Sequence, residues 1–254
     1  MGETFGHVVP GIFYSLIAVI LLGLTRANRG AYARFDFSPQ AKMYLGWGML
    51  ITCVFGISIE GIGGVLHNGQ FLFQIAHESM YFGFAMAGLG CLLEASGRLP
   101  QSTWRFGFAM GFFVEGLVFY GHALEQQGVE QMLHMIMVLF SWMTSGCFLL
   151  GCWLAAAADG QSKALFVCHA MGLAMMLAKG LWFFIIADIL YSGKFGVEGV
   201  DFMISDEYVY AGLLIVCLFG GVGGCLFLKP SGSYVEGEDN EDEQSLAEKA
   251  IPIS

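Results

Sequence analysis

The chain has 254 residues, 56% of them hydrophobic and 13% charged, with a formal net charge of -10. A soluble domain of this size carries about twice that charged fraction, and no basic patch suggests nucleic acid. The apolar residues come in runs of roughly 18 or more, the length of a membrane-crossing helix, and lack the alternation, in segments of about 10 residues, of a bilayer β-barrel.

Seven spans are expected, over residues 8–26, 43–64, 74–96, 104–122, 130–156, 164–191 and 207–228. The fold class predicted is an all-α membrane protein. Residues 1–228 form a seven-helix transmembrane domain, and 229–254 form an acidic tail read as disordered, with Glu236–Glu243 holding much of the negative charge. The first run has no cationic leader or small-residue cleavage site, so it reads as a retained span. Gly6 stands where a myristoylation signal wants Ser or Thr.

Lys and Arg set the expected orientation. Arg26, Arg29, Arg34 and Lys42 surround the first loop, Arg98 and Arg105 the third, Lys163 the fifth, and Lys229 opens the tail. The second and fourth loops have none, and the sixth only Lys194. The N-terminus is expected outside and the C-terminus in the cytoplasm.

With that orientation, most of the acids and imidazoles fall in one leaflet. Glu60 lies near the outer end of span two, and His77 and Glu78 in the first turns of span three. His122 ends span four, His134 starts span five and Asp188 lies near the outer end of span six, with His7 and His67 beside them. Only His169 and Glu94 lie towards the cytoplasm, so the inner half is expected to be less polar. Glu115 and His122 are two turns apart on one face, and Glu130 and His134, like His77 and Tyr81, are one turn apart. A link over 123–126 should hold spans four and five antiparallel, with His122 and His134 at similar depth. A charge at a helix centre in lipid costs about 2.5–3.5 kcal/mol, so these groups should face protein or water. An outward-facing polar cavity is expected. Lys179, midway along span six, matches the depth of Glu115, and the two are expected to pair.

The motifs Gly6-His7-Val8-Val9-Pro10-Gly11, His77-Glu78-Ser79-Met80-Tyr81 and Val114-Glu115 followed by Phe119-Tyr120-Gly121-His122 resemble those of the transmembrane protein 45 family, of the domain of unknown function 716 group. The twelve-residue step from His122 to His134 and Gly180-Leu181-Trp182-Phe183-Phe184 add to the resemblance, which covers spans one to six. It implies a multi-pass membrane protein of undefined biochemistry. The chain departs from the family at Ala76 and Leu124, where relatives carry further histidines, and at Lys179, where they carry Gln.

His77, His122 and His134, with Glu78 or Glu60, form a candidate site for zinc or another divalent metal, assembled from several helices. Glu115, Lys179, Asp188, Tyr81, His67 and His7 are expected to line the cavity or to pair within it. The readings left open are a membrane protein that binds a metal ion or small ligand, a transporter among them, a metal-dependent hydrolase, and a scaffold whose polar network only holds the helices together. Haem ligation suits histidines at span ends poorly. Lys179 beside Trp182, Phe183 and Phe184 invites analogy with a retinal Schiff base, on the wrong span. The seven cysteines, Cys53, Cys91, Cys147, Cys152, Cys168, Cys217 and Cys225, read as reduced core residues, Gly220–Gly224 as a helix-packing surface and the 14 methionines as core filler.

Overall fold

A computed structural model describes residues 2–27, 36–68, 71–157 and 163–191, and these are all-helical. Six helices follow in order: α1 (Gly2–Ala27), α2 (Pro39–Asn68), α3 (Phe71–Ala95), α4 (Thr103–Glu125), α5 (Gly128–Ala157) and α6 (Lys163–Tyr191). Each matches one of the first six expected spans: α1, α2, α4 and α5 are longer at both ends, α6 begins one residue earlier, and α3 begins earlier but stops one residue short. The seventh expected span, 207–228, and the tail, 229–254, lie outside the described residues. The expected 123–126 link is shorter than the sequence suggests. α4 runs on through Glu125 and α5 begins at Gly128, whose φ of 58° suits a residue without a Cβ.

Five helices, α1, α2, α4, α5 and α6, are long and apolar enough to cross a membrane, and Tyr81–Ala95 adds a shorter apolar stretch in α3. Their outer surfaces are apolar too: Ile51, Phe55 and Trp153 are 65%, 66% and 63% exposed. Such a surface suits lipid and not water. Hydroxyls on these helices mostly bond back to their own backbone, as Thr52 does to the Gly48 carbonyl at 2.8 Å and Thr144 to that of Phe140 at 2.7 Å. The chain reads as an integral, multi-pass helical membrane protein.

Consecutive helices from α2 to α6 pack side by side, and α1 closes against α6. The circuit is left open between α1 and α2, where an apolar groove of about 790 Å³ runs past Val9, Phe13, Ile17, Leu45 and Gly48. Inside, Phe84, Phe108, Phe112, Phe148, Trp104 and Trp182 are fully buried. Below, the end of the bundle where α1 begins is called upper, and the opposite end lower.

Small residues set the helix spacing, as van der Waals packing in lipid requires. A Cβ added to Gly83 of α3 would lie 2.8 Å from the Gly111 Cα of α4, and one added to Gly46 of α2 would lie 2.8 Å from the Gly88 carbonyl of α3. At Gly48, by contrast, an added Cβ meets nothing within 4 Å. Gly111→Leu should therefore lower thermal stability in detergent by about 1–3 kcal/mol. Gly48→Ala should leave it unchanged or raise it by up to about 1 kcal/mol. Thermal unfolding of the two variants checks this; equal effects would mean that backbone contact does not set the α3–α4 spacing.

Candidate functional site

The bundle interior holds three polar levels. At the upper end, imidazoles from three helices meet: His7 of α1, His122 of α4 and His134 of α5. The His122 and His134 rings lie 4.9 Å apart between centroids, and those of His7 and His134 5.6 Å, both edge to face. His134 is buried, and the other two are half-buried. Its Nδ1 lies 2.7 Å from the Glu130 carbonyl one turn back. A carbonyl only accepts, so Nδ1 carries the proton and donates it. In the neutral ring that leaves Nε2 as the acceptor, and Nε2 stands 3.4 Å from Nε2 of His7.

At mid-height, Glu115 of α4 and Lys179 of α6 form an ion pair, with both side chains wholly buried. Tyr14 of α1 donates its hydroxyl to the other Glu115 oxygen. Lys179 also donates to the Ser141 hydroxyl of α5 at 2.6 Å, and Ser141 passes its own proton to the Met137 carbonyl at 2.9 Å. Aromatic faces complete the lysine's surroundings: its Nζ lies 4.6 Å from the Tyr14 ring, 5.3 Å from Phe112 and 5.4 Å from Phe119. Each contact offsets part of the cost of burying the ammonium.

The lower end corrects the expectation of a less polar half. Lys42 and Arg105, which the sequence places in loops, belong to the first turns of α2 and α4 and are 5% and 1% exposed. Lys42 bridges Asp36 at 2.5 Å and Glu94 of α3 at 2.6 Å. Glu94 also accepts the backbone N–H groups of Ser102 at 2.8 Å and Trp104 at 3.0 Å. It thus caps α4 from a neighbouring helix, while the N-cap residue Ser102, at φ 74°, makes no side-chain cap. Asp36 accepts from the Trp104 indole at 3.1 Å and from Gln101 at 2.8 Å. The Thr25 hydroxyl lies 2.9 Å from His169 Nε2.

Of the residues singled out in the sequence, the structure brings together His7, His122 and His134 at one level, and Glu115 and Lys179 at another. Tyr81 is buried against α2, where a Cβ on Gly56 would lie 2.5 Å from its ring. Asp188 sits on an exposed face of α6, within a turn of its end. The side chains of Glu60, His67, His77 and Glu78 lie outside the described residues. Among the described residues no three His, Cys, Asp or Glu side chains are placed to hold a metal ion. Sequence reasoning missed Tyr14 and Ser141. The available signal was their position: each is a polar group near the middle of an apolar run.

Residues 101–211 match the model of a family of unknown function, DUF716. That stretch, from the end of the α3–α4 connection past the end of α6, is what the chain shares with the family. DUF716 corresponds to the transmembrane protein 45 group that the sequence motifs resemble. The matched stretch contains Glu115, His122, His134, Ser141 and Lys179, whereas His7 and Tyr14 of α1 lie before it.

Removing one member of a buried pair strands the other, at about 3–5 kcal/mol, whereas replacing both can be near neutral. Glu115→Gln and Lys179→Met should each lower the thermal stability of the protein in detergent more than the double substitution does. A double-mutant cycle measures this, and simple additivity would show that the pair contributes no coupling. Tyr14→Phe removes one hydrogen bond to a charged group and should cost about 1.5–3 kcal/mol by the same measurement.

Proposed function

We propose that this chain is a seven-span membrane protein, N-terminus outside, whose upper imidazole cluster binds a divalent metal ion or a small ligand. The observation that supports it is the His7–His134 pair. Two Nε2 atoms 3.4 Å apart match the separation of two ligands on a tetrahedral zinc with bonds of about 2.0–2.1 Å. The Nδ1 hydrogen bond to the Glu130 carbonyl is the kind of support that fixes the orientation and tautomer of a metal-binding imidazole. His122 is a third candidate ligand, and His77, Glu78 and Glu60, on helices whose upper parts end nearby in sequence, are the candidates from α3 and α2. Zinc suits the donor set best, because imidazole and carboxylate are both among its ordinary ligands.

Transport and metal-dependent hydrolysis are two uses such a site could serve, and hydrolysis needs an open coordination position. The competing reading is a scaffold. It is favoured by the packing below the imidazoles, where Phe183 lies 6.2 Å from the His7 ring and stacks on Tyr14 at 5.6 Å. Aromatic side chains thus separate the upper cluster from the Glu115–Lys179 level.

Elemental analysis and cobalt titration of the purified full chain distinguish these readings. Ligand binding predicts about one metal per chain, with the visible spectrum of tetrahedral cobalt, and a loss of affinity of at least about tenfold in His134→Ala and His7→Ala. Metal at background level, with wild type and variants alike, would leave the scaffold reading.

A further inference from the structure

Arg105 is one of the largest fully buried side chains of the bundle, yet among the described residues it uses only one of its three nitrogens. Its Nη1 donates to the Ser102 hydroxyl at 2.7 Å. Its Nε and Nη2 are buried and, among the described residues, have no hydrogen-bond partner. These two nitrogens form one edge of the guanidinium, with parallel N–H bonds spaced to grip two oxygens of one carboxylate or phosphate. A guanidinium does not shed its proton, so the demand for acceptors persists. A buried donor left unmet costs about 1–3 kcal/mol, and more for a charged group.

The neighbouring carboxylates already serve other donors. Asp36 serves Lys42, Gln101, the Trp104 indole and its own neighbour Phe37, and Glu94 serves Lys42 and two backbone amides. Together Asp36, Lys42 and Glu94 carry one net negative charge, which balances the guanidinium electrostatically without filling its edge. The side chain is held in place from two sides: its Cζ rests 4.5 Å from the Trp104 ring centroid, and its Cδ faces bare backbone at Gly151 of α5, 3.8 Å from where a Cβ would stand. A fixed, charged, two-pronged donor in the first turn of a membrane-spanning helix lies where the headgroups of a bilayer begin.

We propose that the Nε–Nη2 edge of Arg105 is an oxyanion site at the lower end of the bundle, taking a phosphate group in two-pronged fashion. The phosphate comes either from a phospholipid headgroup or from a free anion. The site is separate from the imidazole cluster and does not depend on what that cluster binds.

The test uses the purified full chain in a phosphate-free, uncharged detergent, with thermal unfolding followed by tryptophan fluorescence. The probes are inorganic phosphate, phosphatidic acid in mixed micelles, and phosphatidylcholine as control. A saturable rise in Tm with inorganic phosphate assigns the site to a free anion. A rise with phosphatidic acid but not with phosphate or phosphatidylcholine assigns it to a lipid phosphate. In both cases Arg105→Lys, which keeps the charge and loses the fork, should weaken the apparent affinity about tenfold or more. Native mass spectrometry of the wild-type chain is a readout independent of that variant, with one retained phosphate-bearing adduct expected. No saturable response together with no adduct overturns the proposal, as does an Arg105→Lys response equal to wild type. Asp159 is the acidic residue of the 158–162 connection. If Asp159→Asn destabilises the chain as much as Arg105→Lys, and neither probe has an effect, that carboxylate is the partner and the proposal fails.

Discussion

The contact between Glu115 and Lys179 is the constraint around which the bundle is arranged. Two full charges sit near the middle of helices that are otherwise apolar, and neither is stable there without the other. In lipid no hydrophobic force pins a helix at a particular rotation, because its apolar faces are equivalent to the solvent. The ion pair removes that freedom for α4 and α6. The Tyr14 hydroxyl on Glu115 and the Ser141 hydroxyl beneath Lys179 do the same for α1 and α5. Only one rotation of each of the four helices brings these side chains together. The glycine crossings of α2 with α3 and of α3 with α4 then extend that arrangement to the remaining helices.

The two ends of the bundle use polar groups differently. At the lower end, the Nε–Nη2 edge of Arg105 apart, the described donors meet acceptors, and Glu94 satisfies Lys42 and the start of α4 at once. At the upper end the groups are imidazoles, which exchange protons and bind metals near neutral pH. The polar levels are separated by aromatic packing. Phe108 and Phe148 stack at 5.3 Å between the ion pair and His169, and Phe183 lies between the ion pair and His7. Movement of an ion along the bundle axis would require these rings to rearrange.

Much of this was legible in the sequence because membrane spans are long, apolar and uninterrupted. The depth of a residue within its span is simple counting, which is why Glu115 met Lys179 and His122 met His134. Counting failed where a helix reaches beyond its apolar stretch. Lys42 and Arg105 look like loop charges because hydropathy falls at the span ends, whereas the helices continue and their charges turn inward to pair. Tyr14 and Ser141 were lost for another reason. A single hydroxyl inside an apolar run scarcely changes its hydropathy, and its importance depends on which neighbour carries a charge. His7 was placed at the correct end, but its opposition to His134 is a matter of helix adjacency: α1 packs chiefly on α6.

The mid-height quartet also bears on how the chain is made. Ribosomes deliver α1 first, so Tyr14 enters the membrane before Glu115, and Glu115 before Ser141 and Lys179. Over the interval in which α5 and the first half of α6 are synthesised, the carboxylate has no cation to meet at its own depth. Until then Glu115 lacks the cation that it meets in the finished bundle. The α3–α4 hairpin, by contrast, closes as soon as α4 begins, since Glu94 precedes the amides it caps. Biogenesis therefore has an early, self-sufficient step and a late one that depends on α6.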